Sequence, residues 1–509
     1  MDFLVLKSFI PEIFIVFCLL GQLVYNACLI NNFSNLYPII TKEIFWQTMF
    51  ILICVLCLLL NLKCEAYFFN FLFVNDIGSI YTKILVVVTC LFCLCLIVQT
   101  FKLQQLNFFE YFILLLLAIL ALLLLISAAD MLSAYLVIEI QALCFYVLAS
   151  FRRDSSFSTE AGLKYFISGS FISAVFLAGC SIVYGLLGTL NFSHLNLLLS
   201  VELYETSTYF YNFLLLGCLL IVITFLFKLA IAPFHFWAAD VYEGAPLAST
   251  IVFAVIPKFG LFYFFIKWLT IINTFFPEIF LLLGVLGIFS VIIGSLLALQ
   301  QKRIKRLMIY SSISQLGFLI AALSNLTLNT LVSVYFFLTI YIITSILFWG
   351  YLSNFYLFQQ NIRLFYKQAI SSLFLTSLSN FSKINLSWSF SLLIIIFSMA
   401  GLPPFSGFFA KFFVVLSLIE ELNLSIALFL IIISIISGFY YLRFLKILFF
   451  EPKVKFLTNT TSQVLFSNSF FLLNCFLNAF LLFLLVYIFF NPTFLYLICH
   501  QIVTGSYFF

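Results

Sequence analysis

Fourteen stretches of about twenty apolar residues, separated by short polar loops, decide what this chain can fold into. A helix needs ~20 apolar residues to cross the hydrocarbon part of a bilayer, and each stretch reaches about that length. Hydrophobic residues make up 65% of the 509 and charged residues only 8%, which no globular interior could absorb. The sequence therefore predicts an all-α polytopic membrane protein with about 14 transmembrane helices. The segments, numbered in chain order, run over 9–31, 44–62, 82–101, 109–128, 130–151, 162–187, 210–242, 247–268, 278–300, 305–324, 327–357, 386–422, 423–448 and 464–490.

The first segment is too long for the apolar part of a signal peptide and lacks a small-residue cleavage site. We interpret it as a membrane helix that is kept in the protein.

Segments 7 and 12 are longer than one crossing and are interrupted, by Pro233 and by Gly401, Pro403 and Pro404. A break inside lipid leaves backbone groups unpaired, which is tolerated only against protein or a water-filled cavity. Paired breaks in two halves of a chain are typical of inverted-repeat transporters. We predict two inverted five-helix repeats with two broken helices. Helices 1–3 occupy residues 1–104, the repeats 105–268 and 278–448, and helix 14 with a tail 449–509.

The basic residues are distributed unequally between the two sets of loops. Loops that follow odd-numbered segments, with their flanks, hold sixteen Lys and Arg, and the other loops hold four. The positive-inside rule predicts that the odd loops face the matrix or cytoplasm and that both termini lie on the opposite, outer face. The sixteen are Lys42, Lys102, Arg152, Arg153, Lys164, Lys302, Arg303, Lys305, Arg306, Arg363, Lys367, Lys383, Arg443, Lys446, Lys453 and Lys455, and the four are Lys7, Lys63, Lys83 and Lys267.

Lys228, Lys258 and Lys411 lie inside apolar segments, each near a proline, and Glu139 lies inside another. A charge at bilayer depth costs at least ~2.5 kcal/mol and by default indicates a functional site. Burial favours the neutral form of a lysine, whereas a nearby carboxylate favours the ammonium. A lysine between these influences can gain or lose a proton when a neighbour moves. The alternative to such a role is that each lysine forms a fixed structural ion pair or extends its side chain to the polar membrane interface. The pattern predicts ion translocation, with Glu139 as the partner of Lys228.

Other charged residues have less specific interpretations. His235 follows the Pro233 break and is either a proton relay or a hydrogen-bonded residue that stabilises the break. For Asp240 and Glu243 we favour a structural role at the end of segment 7. The cluster of basic residues at 302–306 is expected to set topology and to contact anionic lipid headgroups.

The cysteines do not predict a metal site. Cys54 and Cys57, like Cys90 and Cys93, have C-x-x-C spacing but lie within apolar segments. A zinc or iron–sulfur site needs four converging ligands, so we interpret these cysteines as small apolar residues.

Four strings in the chain are distinctive: STEAGLKYF, FKLAIAPFHFWAADVYEGAPLAST, QKRIKRLMIYSSISQLGF and MAGLPPFSGFFAKFF. They resemble subunit 2 (bacterial subunit N) of the proton-pumping NADH–quinone oxidoreductase, respiratory complex I. The resemblance runs in the family's order between about residues 105 and 450, and Ala239 stands where the family usually shows proline. The first three segments are less similar.

The resemblance implies a fold and a set of roles. Glu139 would be the carboxylate on the fifth helix, Lys228 the lysine beside the first break, Lys258 the connecting lysine, and Lys411 the lysine of the second half. It also implies that the chain binds no flavin, iron–sulfur cluster or quinone headgroup.

The expected function is proton translocation driven by electron transfer elsewhere in the complex. The expected partners are other membrane-arm subunits, anionic phospholipids and protons, with no nucleic acid. The expected location is the mitochondrial inner membrane, or a bacterial inner membrane. Two alternatives stay open: a subunit of a stand-alone multi-subunit sodium/proton antiporter, and a scaffold that has lost transport.

Overall fold

The computed structural model describes residues 8–32, 37–62, 66–104, 109–202, 208–273, 275–366, 374–379, 381–383, 385–451 and 469–506. These residues form eighteen α-helices, one hairpin of two short antiparallel strands, and two short 3₁₀ turns. The helices are α1 Ile10–Asn32, α2 Tyr37–Leu60, α3 Ile77–Gln104, α4 Glu110–Ser127, α5 Met131–Ala149, α6 Ser156–Leu187, α7 Phe192–Glu202, α8 Thr208–Lys228, α9 Phe236–Gly244, α10 Leu247–Ile272, α11 Pro277–Gln300, α12 Ile304–Ala322, α13 Leu328–Tyr366, α14 Leu386–Ala400, α15 Ser406–Glu420, α16 Leu424–Phe449, α17 Ser469–Phe490 and α18 Pro492–Ser506. The strands are β1 Ala66–Phe68 and β2 Phe73–Asn75.

Each of the fourteen predicted segments is mainly helical in its described residues, which confirms the all-α membrane fold. Eleven of the helices are long and apolar enough to cross a membrane on their own. Segment 10 forms α12, which is less apolar because of its serines. Segments 7 and 12 are each split into two helices, α8 with α9 and α14 with α15, as the prolines predicted.

The structure adds elements that the hydropathy pattern did not predict. A short helix, α7, precedes segment 7, and the tail after segment 14 forms α18, which turns by 92° from α17. Pro492 at the start of α18 lacks a backbone N–H and so favours a helix start at this position.

Loops that follow even-numbered segments meet at one end of the bundle, which we call the hairpin face. Here Asn191 donates a hydrogen bond to the Phe71 carbonyl, and the Asn423 side chain donates to that of Asn325. The first residues of α3 pack against α18, where Gly78 lies too close to the Ile502 backbone to carry a side chain.

Loops that follow odd-numbered segments meet at the other end, which we call the basic face. Lys164 pairs with Asp240, Arg303 pairs with Glu243, and Arg443 donates to the Leu299 carbonyl. Each of these contacts joins loops of the same set, as expected if successive segments cross in alternating directions. Lys7, Lys63, Lys367, Lys453 and Lys455, which entered the count of basic residues, lie outside the described residues.

Lys83 was counted with the flanks of the outer-face loops, because it is the second residue of the predicted segment 3. It lies inside α3, which begins at Ile77, earlier than the predicted 82. Its ammonium forms an ion pair of 2.5 Å with Glu12 of α1, and both side chains are buried. The helix starts earlier because the Ser79 hydroxyl accepts from the Asp76 N–H and donates to its carbonyl, which stabilises the first turn.

Two helices form the centre of the bundle. Every residue in the apolar window of α10 is buried, as is nearly every one in that of α13. A helix that is apolar on all sides can be buried in this way, because it presents no polar face that needs water. The broken helices pack around this centre, with Lys228 and Lys411 half-buried and Glu420 exposed.

Candidate functional site

The first break follows Lys228, which ends α8. Ile231 donates its N–H to the Leu226 carbonyl at 2.9 Å, and Ala230 donates to that of Phe227 at 2.9 Å. This is the Schellman motif that ends many helices, with Ala230 in the left-handed region at φ 60°. The Trp237 indole also donates to the Phe227 carbonyl, so the carbonyls left free by the break find donors within the protein.

The second break repeats this geometry. Leu402 donates to the Phe397 carbonyl and Gly401 to that of Ser398, both at 3.1 Å, and Gly401 has φ 76°. In both breaks a proline lies three residues after the left-handed residue: Pro233 after Ala230, and Pro404 after Gly401. The two halves of the chain therefore interrupt a helix by the same local structure.

Lys411 lies after its break, on α15, and reaches back across it. Its ammonium donates to the Ala400 carbonyl at 2.7 Å, at the C-terminal end of α14, where a positive charge is favoured. A Cβ added to Gly401 would lie 2.7 Å from Lys411 Cδ, so glycine is needed both for the backbone conformation and for the lysine. The ammonium also lies 5.4 Å from the centre of the Phe318 ring.

Glu139 and Lys228 line one small cavity, the carboxylate cavity, together with Tyr135, Ser173 and Thr224. No ion pair joins the two side chains in the described part of the chain, and the buried Glu139 Oε1 has no hydrogen-bond partner there. The cavity volume of about 10 Å³ is near the lower limit for one water molecule. Glu139 and Lys228, which the sequence predicts to be partners, thus share a cavity without a direct contact.

Lys228 also lines a second cavity, the lysine cavity, with Lys258, Tyr146 and Tyr242. Its volume is about 30 Å³, room for about two water molecules. Lys258 is 3% exposed, and its side chain forms no hydrogen bond or ion pair with the described residues. A buried ammonium without fixed hydrogen-bond partners needs mobile partners such as water, and the lysine cavity has room for them.

A third cavity, the junction cavity, leads from Tyr242 to the second break. Its volume is about 20 Å³, and Gln315, Tyr341 and Met399 line it. The Gln315 amide donates to the Met399 carbonyl at 3.4 Å and to the Tyr441 hydroxyl at 3.3 Å. The next residue after Met399 carries the carbonyl that binds Lys411. Polar groups thus follow one another from Glu139 to Lys411.

The chain also resembles known proteins in sequence. Residues 128–439 match the family described as NADH:quinone oxidoreductase/Mrp antiporter, TM. The chain belongs to this family. Glu139, Lys228, Lys258 and Lys411 all lie within the matched region.

Relatives in this family carry names from respiratory enzymes. NADH-ubiquinone oxidoreductase chain 2 of Marchantia polymorpha is 34% identical over 79% of this chain and 78% of its own length. NADH-quinone oxidoreductase subunit N of Wolbachia sp. subsp. Brugia malayi is 37% identical over 71% of this chain and 72% of its own.

Solved structures of family members share the fold. A chain of respiratory complex I from Thermus thermophilus superposes with a TM-score of 0.71 at 24% identity, covering 94% of this chain and 98% of that one. A chain of the Mrp complex from Dietzia sp. gives 0.79 at 17% identity, covering 99% and 98%. At these identities the structures establish a common fold and nothing about transport.

The remaining predicted residues have different surroundings. His235 caps the start of α9, is 2% exposed, and does not line the cavities of Glu139, Lys228 and Lys258. Glu243 pairs with Arg303 and Arg306, and Asp240 pairs with Arg306 at 3.4 Å. These pairs join α9 to α12 and agree with the structural role that we favoured.

Sequence reasoning missed two features of the buried polar network. Tyr242 and Gln315 gave no charge signal in the sequence, and only their common cavity connects them. The Glu12–Lys83 pair did give a signal, since Glu12 is a carboxylate within segment 1, near the same end as Lys83 in segment 3.

Proposed function

We propose that this chain is the proton-translocating subunit of type 2 or N in the membrane arm of respiratory complex I. The names of its relatives and the buried ionisable residues support this function. The chain itself carries no redox chemistry in this proposal, because electron transfer to quinone takes place in other subunits.

The observation that carries the proposal is the series of buried and half-buried polar groups that line the cavities between Glu139 and Lys411. Lys228 lines both the carboxylate and the lysine cavity, so it can exchange a proton with either side. Lys258 shares the lysine cavity and is the next acceptor. Lys411 holds a charge at the second break, where a helix end stabilises it.

The Schellman motifs at the two breaks allow this series to exist. A continuous helix would bond its own carbonyls and leave none for a lysine. Each break exposes backbone carbonyls to protein groups, as the contact from Lys411 to Ala400 illustrates. Residues 105–268 and 278–448 then form two inverted repeats, each with one such break.

The proposal includes neighbours and location. Other membrane-arm subunits would cover part of the apolar surface, with anionic phospholipid at the basic face. The basic face would lie toward the matrix or bacterial cytoplasm and both termini on the opposite side. A role in a stand-alone sodium/proton antiporter has the same fold, but the relatives' names favour complex I.

The test replaces Lys228 by methionine in the intact complex. We expect the complex to assemble and coupled proton translocation to fall by at least about tenfold, because removing a proton-transfer group commonly costs ~10²-fold or more. Proton uptake by membrane vesicles, measured per NADH oxidised, gives the result. Lys446→Met, at an exposed lysine near the basic face, is the matched control and should pump normally.

Normal pumping by an assembled Lys228→Met complex would refute the central role of this lysine. Pumping of sodium ions in place of protons would instead favour the antiporter alternative.

A further inference from the structure

The lysine cavity and the junction cavity meet at one side chain. Among the described residues, only Tyr242 lines both. Lys228 and Lys258 line the lysine cavity with Tyr242, and Gln315 and Tyr341 line the junction cavity with it. Tyr242 is therefore the described side chain that connects these two cavities.

The Tyr242 hydroxyl is held by a carbonyl that a proline has freed. It donates to the Phe253 carbonyl on α10 at 3.2 Å. In a regular helix that carbonyl would accept from the N–H of residue 257, but Pro257 has no N–H. The hydroxyl thus occupies a position that the α10 backbone leaves open, one turn from Lys258.

The helix that carries Tyr242 is fixed to the second half of the chain. Its neighbour Glu243 pairs with Arg303 and Arg306 at the start of α12. Further along α12, Gln315 lines the junction cavity. These ion pairs join α9 to the second half, while the Trp237 hydrogen bond to the Phe227 carbonyl and the Lys164–Asp240 pair join it to the first half.

We propose that Tyr242 carries protons between the two halves of the network. This inference rests on the proposed function and names the connecting residue. In each transfer the hydroxyl accepts a proton from the Lys258 side and releases its own proton to an acceptor in the junction cavity. One O–H bond forms as another breaks, so the phenol keeps no charge. The freed Phe253 carbonyl returns the hydroxyl to its starting orientation.

The alternative is that the hydroxyl only satisfies the Phe253 carbonyl. Tyr242→Phe alone does not distinguish the two roles, because it removes the hydroxyl that either role needs. Adding Pro257→Ala distinguishes them, because the alanine supplies a backbone N–H that can donate to the Phe253 carbonyl in place of the hydroxyl. If the hydroxyl is only a donor to the carbonyl, adding Pro257→Ala should rescue Tyr242→Phe. If it carries protons, the double variant should remain defective.

The experiment measures assembly, NADH oxidation and protons moved per NADH in membrane vesicles that contain the intact complex. For assembled Tyr242→Phe we expect a loss of proton translocation of at least about tenfold, with no rescue by Pro257→Ala. Tyr111→Phe is the matched control, since Tyr111 is fully buried away from the three cavities, and it should pump normally.

Normal pumping by Tyr242→Phe, or rescue by Pro257→Ala, would overturn the proposal. If Tyr242→Phe does not assemble, Tyr242→His decides, because histidine can also pass a proton. An assembled and pumping histidine variant supports the role, and any other result for it overturns the role. Lys228→Met is measured in parallel. If Lys228→Met loses proton pumping while Tyr242→Phe pumps normally, only the inference about Tyr242 is refuted. If both variants pump normally, the proposed function is refuted as well.

Discussion

The buried pair of Glu12 and Lys83 gives a prediction about stability that does not depend on transport. The ammonium of Lys83 binds a Glu12 oxygen at 2.5 Å and the Asn75 side-chain oxygen at 2.6 Å, with both charged side chains at most 2% exposed. Asn75 in turn donates to the Ser8 carbonyl at 2.9 Å. The pair therefore connects α1, the strand hairpin and α3. Lys83→Met would remove the ammonium from this group.

The magnitude follows from the burial. Removing one partner leaves the Glu12 carboxylate buried without a counter-charge, which typically costs about 3–5 kcal/mol. The double variant Glu12→Gln/Lys83→Met removes both charges, and with them the cost of burying the pair. The effect of such a double replacement on stability is typically neutral or stabilising by ~1–4 kcal/mol. We therefore expect the single variant to be clearly less stable than the double variant.

Thermal unfolding of the purified complex, followed by release of this subunit, measures the order of stabilities. The double variant should unfold near the wild-type temperature and Lys83→Met well below it. Lys446→Met, at an exposed position, should match the wild type. Equal stability of the single and double variants would refute the reasoning, because it would mean that the Glu12 carboxylate does not depend on Lys83.

Two further predictions concern the breaks and the carboxylate. Glu139→Gln keeps the shape of the side chain but removes the negative charge that shares the carboxylate cavity with Lys228. Membrane vesicles with this variant should move far fewer protons per NADH oxidised. Glu110→Gln, at an exposed carboxylate, is the control and should move the normal number. Gly401→Ala should lower the free energy of unfolding by about 1–2 kcal/mol, because alanine disfavours the left-handed conformation, and it should also displace Lys411. Gly188, at φ 73° with open space around it, is the control. Gly188→Ala should have only the backbone cost, and its complex should pump protons normally. Equal pumping by the two alanine variants would show that Gly401 is not needed to position the lysine.

The sequence alone determined the membrane class, the fourteen segments and the places where two of them break. These features are local: hydropathy over about twenty residues decides whether a helix can cross a bilayer, and proline removes a backbone donor and so disfavours the helix interior. Four buried ionisable residues could be named for a similar reason, since a charge within an apolar segment is visible without knowledge of its neighbours. The resemblance then assigned roles to them.

Tertiary structure decided which buried groups lie together. The sequence placed Lys83 at the start of segment 3 without a partner, and only the tertiary structure shows it paired with Glu12 of α1. Tyr242 is one of 25 tyrosines, and nothing in its local pattern marks it. Its importance arises where α9, α10 and α12 meet, because a cavity is a property of several helices at once and is not encoded in any one of them.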